Sequence, residues 1–86
     1  MSKSRHLRLL RAILSTRSPA NIRWHEVEAL LRYLGAEISE GSGSRVRVNL
    51  NGVRAVFHRP HPRPETDKGA LDSLRRFLKE AGVNPP

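Results

Sequence analysis

Apolar residues recur at helical spacing in three stretches of the chain and alternate at strand spacing in a fourth, and this patterning alone predicts an order of elements. From Ser4 to Thr16, Leu7, Leu10 and Leu14 share one helical face, with Leu9 and Ile13 beside them and Arg5, Arg8 and Arg11 opposite, which is the stripe of a basic amphipathic helix. Two roles fit it: a helix packed on the domain, or an arm that meets RNA or a membrane surface. Arg17 to Asn21 contains Ser18-Pro19 and should form a loop. Val27, Leu30, Leu31 and Leu34 then fall at i, i+3, i+4 and i+7, so a second helix is expected from about Trp24 to Leu34. Glu26 and Glu28 stand near its positive end, and Gly35 supplies its stop. Ala36 to Glu40 reads as a short strand with Ile38 inward, and Gly41 to Ser44 as a turn.

The strongest local pattern follows. Arg45-Val46-Arg47-Val48-Asn49-Leu50 and Val53-Arg54-Ala55-Val56-Phe57-His58 both alternate, and Asn51-Gly52 joins them. Asn-Gly between alternating strands predicts a two-residue type I′ hairpin. Such a turn sets the register, pairing Leu50 with Val53, Val48 with Ala55 and Val46 with Phe57 on an apolar face. The other face then pairs Asn49 with Arg54, Arg47 with Val56 and Arg45 with His58, with Cβ atoms roughly 4.5–5.5 Å apart. Pro60, Pro62 and Pro64 hold Arg59 to Thr66 as a stiff loop. A last helix, from Asp67 or Lys68 to Ala81, carries Leu71, Leu74 and Leu78 on one stripe with Phe77 alongside, and Gly82-Val83 suggests a Schellman end. The expected fold class is α+β: a two-layer sandwich of a three-stranded antiparallel sheet with helices on one face, in the order α-α-β-β-β-α.

Composition narrows what such a fold does. The chain has 86 residues, enough for a single domain over 1–86 and one site. Sixteen Lys and Arg against eight Asp and Glu leave a net charge of +8, which attracts polyanions, nucleic acid first. There is no cysteine, so disulfides, thiolate metal sites and thiol nucleophiles are out. No apolar run approaches the roughly 20 residues of a membrane span, and the basic start lacks a signal peptide's apolar core; a cytoplasmic location is expected, with no membrane partner. Only 37% of residues are hydrophobic and 5% aromatic, which points to a partner covering part of the surface.

The charge is concentrated where chemistry is conceivable. Arg45, Arg47, Arg54, His58, Arg59, His61 and Arg63 crowd one stretch that holds no acidic residue before Glu65. Such charges also suit a merely solvated sheet face, although a mixture of Lys and Glu would solvate it without self-repulsion. Arginine makes bidentate contacts to phosphate oxygens, and a neutral imidazole can accept a ribose 2′-hydroxyl proton or, once charged, protonate a leaving 5′-oxygen. That combination suits RNA cleavage without a metal ion or small-molecule cofactor. Other chemistries lack their motifs. Gly41-Ser-Gly-Ser44 has no lysine or following helix to cradle a nucleotide, His6 and His25 have no spaced partners, and His58-Arg-Pro-His61 lacks carboxylate company for a metal.

Four stretches together resemble the HicA family of toxins: Val27-Glu-Ala-Leu-Leu-Arg-Tyr-Leu-Gly35, Gly43-Ser-Arg45, His58-Arg-Pro-His61, and Lys68-Gly-Ala-Leu-Asp-Ser-Leu-Arg-Arg-Phe-Leu-Lys-Glu-Ala-Gly-Val83. The resemblance spans about 24–83 and leaves the helix of about 4–16 outside it. It implies a double-stranded-RNA-binding-like fold, endoribonuclease cleavage of mRNA that inhibits translation, and neutralisation by a HicB-type antitoxin. It also implies a catalytic histidine after Gly-Ser, where this chain has Arg45, whose guanidinium is no base at neutral pH. Two readings remain open. Catalysis rests on His58 or His61 with Arg45 holding the scissile phosphate, while Ser44, Arg47, Arg54, Arg59, Arg63 and Lys68 bind RNA; or the chain is a non-catalytic RNA-binding module of a toxin-antitoxin-like complex.

Overall fold

A computed structural model describes residues 3–15 and 21–86. Its elements run α1 (Lys3–Leu14), α2 (Trp24–Tyr33), β1 (Glu37–Glu40), β2 (Arg45–Leu50), β3 (Val53–His58) and α3 (Lys68–Glu80), in the α+β order expected. Thr16 and the Ser18-Pro19 loop lie outside the described residues.

The sheet is antiparallel in the order β1-β2-β3. Asn51 (φ 52) and Gly52 (φ 83) both take positive φ, as a type I′ turn demands. The register follows from that turn: Leu50 pairs with Val53, Val48 with Ala55, Val46 with Phe57, and Arg45 with His58. On β1, Ile38 pairs with Val48 and Glu40 with Val46, so both face the same side as the apolar stripe of the hairpin. Ile38 is half-buried against the core and Glu40 stays exposed at its margin.

The helices close over that apolar side. Val27, Leu30 and Leu31 of α2, Val46, Val48 and Leu50 of β2, Phe57 of β3, and Leu71, Leu74, Phe77 and Leu78 of α3 form one buried cluster, and its burial is the main stabilising term of the fold. Phe57 sits between Trp24 and Phe77, ring centroids 5.8 Å from each. At the C-terminus of α3, Val83 N–H donates to Leu78 O at 2.9 Å and Gly82 N–H to Lys79 O at 3.0 Å, the Schellman pattern. Its N-terminus is capped by Asp67, whose Oδ1 accepts from Ala70 N–H at 2.7 Å.

Of the two roles that fit the first helix, the structure shows the packed one. α1 lies against both α2 and α3, burying His6, Leu10, Ile13 and Leu14. The His6 ring stacks on Tyr33 with centroids 4.4 Å apart, and Arg75 Nε of α3 donates to Ile13 O at 2.8 Å. The loop after β3 is irregular, as its prolines require, yet it is tied at its far end. Glu65 forms a single antiparallel bridge with Arg23, Trp24 N–H donates to Pro64 O at 3.0 Å, and Thr66 N–H to Ile22 O at 2.7 Å. Alternation does not signal this pairing, because only Pro64, Glu65 and Thr66 take part in it on the loop side.

Candidate nucleic-acid interface and cleavage site

Hairpin register assembles the site. Because β2 and β3 alternate in step, the side opposite the core receives Arg45, Arg47 and Asn49 from β2, and Arg54, Val56 and His58 from β3. Arg45, Arg47, Arg54 and His58 are exposed there. Val56 is the one large apolar side chain on this face, 55% exposed. No carboxylate of β2 or β3 opposes the cations, so this strand pair presents a positive surface.

Three depressions run across this side and its margin. The largest, about 600 Å³, lies over the strands and is lined by Arg47, Asn49, Arg54 and Val56 together with Glu37 and Ser39 of β1. A second, about 350 Å³, adjoins it and is lined by Arg45, Arg47, Val56 and His58 with Gly41 and Ser42. The third, about 400 Å³, opens between the proline loop and the N-terminal ends of α2 and α3, where His58, His61 and Arg63 meet Trp24, Glu65, Thr66 and Asp67. His58 lines the second and the third, so it is the hinge between the arginine-bearing sheet face and the second histidine. Arg45 and His61 share no depression among these three and come together only through His58.

Arg59 departs from the expectation that it reaches outward to RNA. One residue beyond His58, it falls on the core side of the sheet. There Nε donates to Glu28 Oε2 at 2.8 Å and Nη2 to Glu28 Oε1 at 3.2 Å. On its other edge Nη1 donates to Glu40 Oε1 at 2.5 Å and Nη2 to Glu40 Oε2 at 2.7 Å. Two carboxylates thus grip one guanidinium, the fork geometry arginine offers and lysine does not. Trp24 Nε1 donates to Glu28 as well, and Arg32 Nη2 stands 3.5 Å from Glu28 Oε1.

Glu28 is 7% exposed, so it is a buried anion held by its partners and not the solvated N-terminal charge that its place on α2 suggested. The hydrogen bond from Arg59 holds its carboxyl below the usual glutamate range; burial opposes the shift, and the Trp24 bond and the charges of Arg59 and Arg32 assist it. Glu40 is likewise lowered, chiefly by its bond to Arg59, and the Arg59 guanidinium is raised in turn by bonds to Glu40 and Glu28.

The remaining candidates are dispersed. Arg63 lines the histidine cleft. Ser44 is exposed in the turn before β2, and its carbonyl accepts from Arg59 N–H at 2.9 Å. Lys68 is the exposed first residue of α3. Sequence reasoning missed the buried Glu28 and its indole partner, and missed His6, 6% exposed with Nδ1 unpartnered. The one signal for Glu28 was a carboxylate one position after Val27 of the apolar stripe, with Trp24 four residues before it. Among the described residues no group of three or more His, Cys, Asp or Glu side chains is placed to hold a metal ion, and no helix is long and apolar enough to cross a membrane.

Fold and site together define a small α+β protein whose sheet turns a cationic face to solvent and ends in a histidine-lined cleft. The family model "HicA toxin of bacterial toxin-antitoxin" matches residues 24–83, more than half of the chain, which belongs to the HicA toxin family. Neither a curated protein nor a solved structure matches the chain. It is therefore a toxin of a toxin-antitoxin pair, and an antitoxin is its expected partner. The matched span begins at α2, so α1 stands outside it.

Proposed function

We propose that this toxin is an endoribonuclease that cleaves mRNA on its sheet face and thereby inhibits translation, and that a HicB-type antitoxin neutralises it. The observation that carries the reading is the position of His58, paired with Arg45 across the hairpin and sharing a cleft with His61. On this reading an acid, a base and a phosphate-binding cation serve one phosphodiester, with His58 standing between the other two. In this scheme His58 takes the proton of a ribose 2′-hydroxyl and the freed oxygen attacks phosphorus. The bond from phosphorus to the 5′-oxygen breaks, and protonated His61 supplies the proton that leaves with it. The products are a 2′,3′-cyclic phosphate and a 5′-hydroxyl end. Arg45 binds the non-bridging oxygens and stabilises the charge that develops on them.

Arg47 and Arg54 extend the phosphate contacts along the sheet, and Arg63, Ser44 and Lys68 bind at its margins. With no Phe, Tyr or Trp of β2 or β3 facing outward to stack a base, such binding tolerates sequence. Cleavage of mRNA places the protein in the cytoplasm. His58→Ala tests the reading: cyclic-phosphate ends should form about 10²–10⁴ times more slowly, RNA binding should persist, and growth arrest should disappear. His61→Ala should behave alike. The second reading, an RNA-binding module without cleavage, draws on the arginine at position 45, where the family resemblance implies a histidine. Wild-type protein that retards RNA at low salt yet never yields cyclic-phosphate ends would establish it.

A further inference from the structure

Resting on the reading that His58 and His61 act on RNA, we infer that Arg59 is a positioning residue: gripped by Glu28 and Glu40, it fixes both histidines without touching substrate. The guanidinium has five N–H groups, and the bonds to Glu28 and Glu40 engage four of them. With Arg32 on Glu28, two cations answer two anions, so the cluster adds no net attraction for phosphate. Arg59 therefore keeps a single N–H and no net cluster charge, too little for the bidentate contact that arginine makes to phosphate.

Its placement gives it another task. The loop that carries His61 leaves β3 at Arg59, and that point is held by three elements. The backbone N–H is bonded to Ser44 O beside β2 at 2.9 Å, and the side chain spans from Glu40 at the end of β1 to Glu28 of α2. The far end of the loop is fixed by the Arg23–Glu65 bridge and by Trp24 N–H on Pro64 O. Trp24, whose indole shares Glu28 with Arg59, lines the histidine cleft, and so does Arg59 itself, its guanidinium turned to the two carboxylates. The wall of the cleft thus hangs on one buried carboxylate. Cutting the clamp releases the loop at the residue between the two histidines' backbones, and misplacement by an ångström costs an acid–base pair much of its rate.

The test compares Arg59→Lys, Glu28→Gln and Glu40→Gln with wild type in three measurements on the full chain: single-turnover cleavage, affinity for an RNA whose scissile 2′-hydroxyl is removed, and imidazole NMR signals. We expect Arg59→Lys to lower the cleavage rate about tenfold or more while affinity and its salt dependence stay within about twofold. Glu28→Gln should lower it similarly, although loss of an anion would by charge alone tighten RNA binding, and the exposed Glu40→Gln, which spares the core if Glu28→Gln unfolds, should lower it less. In each variant the His58 and His61 signals should shift while His25 stays.

The inference is overturned if Arg59→Lys, which keeps the charge and loses only the bidentate fork, weakens RNA binding by more than about twofold while the Glu28 and Glu40 variants cut and resonate like wild type. Should wild type itself not cleave, the ribonuclease reading fails. The imidazole signals then decide the clamp by themselves: shifts at His58 and His61 uphold it, and their absence ends it.

Discussion

At the scale of single residues, two features of this site have opposite visibility in the sequence. The pairing of Arg45 with His58 is legible because strand alternation and a two-residue turn leave one register. Glu28 and Arg59 are not, since each belongs to a pattern that predicts exposure, a helix N-terminal acid and a basic loop, and only tertiary contact turns them inward. That inward turn has a consequence for pH. Glu28 and Glu40 have carboxyls held below their ordinary range by Arg59, so each binds protons less readily folded than unfolded. Their stabilisation is complete above the unfolded value, about pH 4.3, and is lost as pH falls through the folded one. Wild type should therefore lose stability on acidification below about pH 4.3, measured as the urea midpoint against pH. Glu28→Gln should start less stable at pH 7 and decline less steeply in acid. Parallel acid limbs for the two proteins would show that the buried carboxylate is not linked in this way.

At the scale of elements, the hairpin turn does two jobs. Asn51 and Gly52 adopt the positive φ of the turn, and Asn51 Nδ2 donates to Ala81 O at 2.7 Å, satisfying a carbonyl at the end of α3. The turn signal was plain in the sequence; the cap was not, because it links residues 30 apart in the chain. Asn51→Ala loses that bond, worth about 1 kcal/mol, and puts alanine in a left-handed conformation that costs about 1–2 kcal/mol. The sum should be about 2–3 kcal/mol, or roughly 10–20 °C in a domain of this size. Asn51→Gly, which keeps the backbone freedom and drops only the bond, should fall by about 1 kcal/mol. Equal losses for the two variants would assign the whole effect to the cap. The N-terminal cap of α3 offers a scale for comparison: Asp67→Ala should cost about 1 kcal/mol.

Across the whole molecule, the candidate site and α1 lie in different places. The candidate site is spread over the outer sheet face and the proline loop, whereas α1 packs on α2 and α3 and lines none of the three depressions. The apolar stripe of α1 made its helical form legible: Leu10 and Leu14 on it are buried, Leu7 is half-buried, and Ile13 beside it is buried fully. Where that stripe lands was not, since nothing local shows that α2 and α3 leave a surface for it. Ile13 is fully buried there, with its carbonyl bonded to Arg75. Ile13→Ala should cost about 2–5 kcal/mol, a large share of the roughly 5–15 kcal/mol that keeps a small domain folded. The site should feel this only through the folded fraction. At a temperature where the variant is still folded by circular dichroism, its cleavage rate and RNA affinity should match wild type, while its melting temperature falls. If the rate falls at full folding, α1 is coupled to the sheet through α2 or α3, and the helix outside the matched span belongs to the catalytic unit.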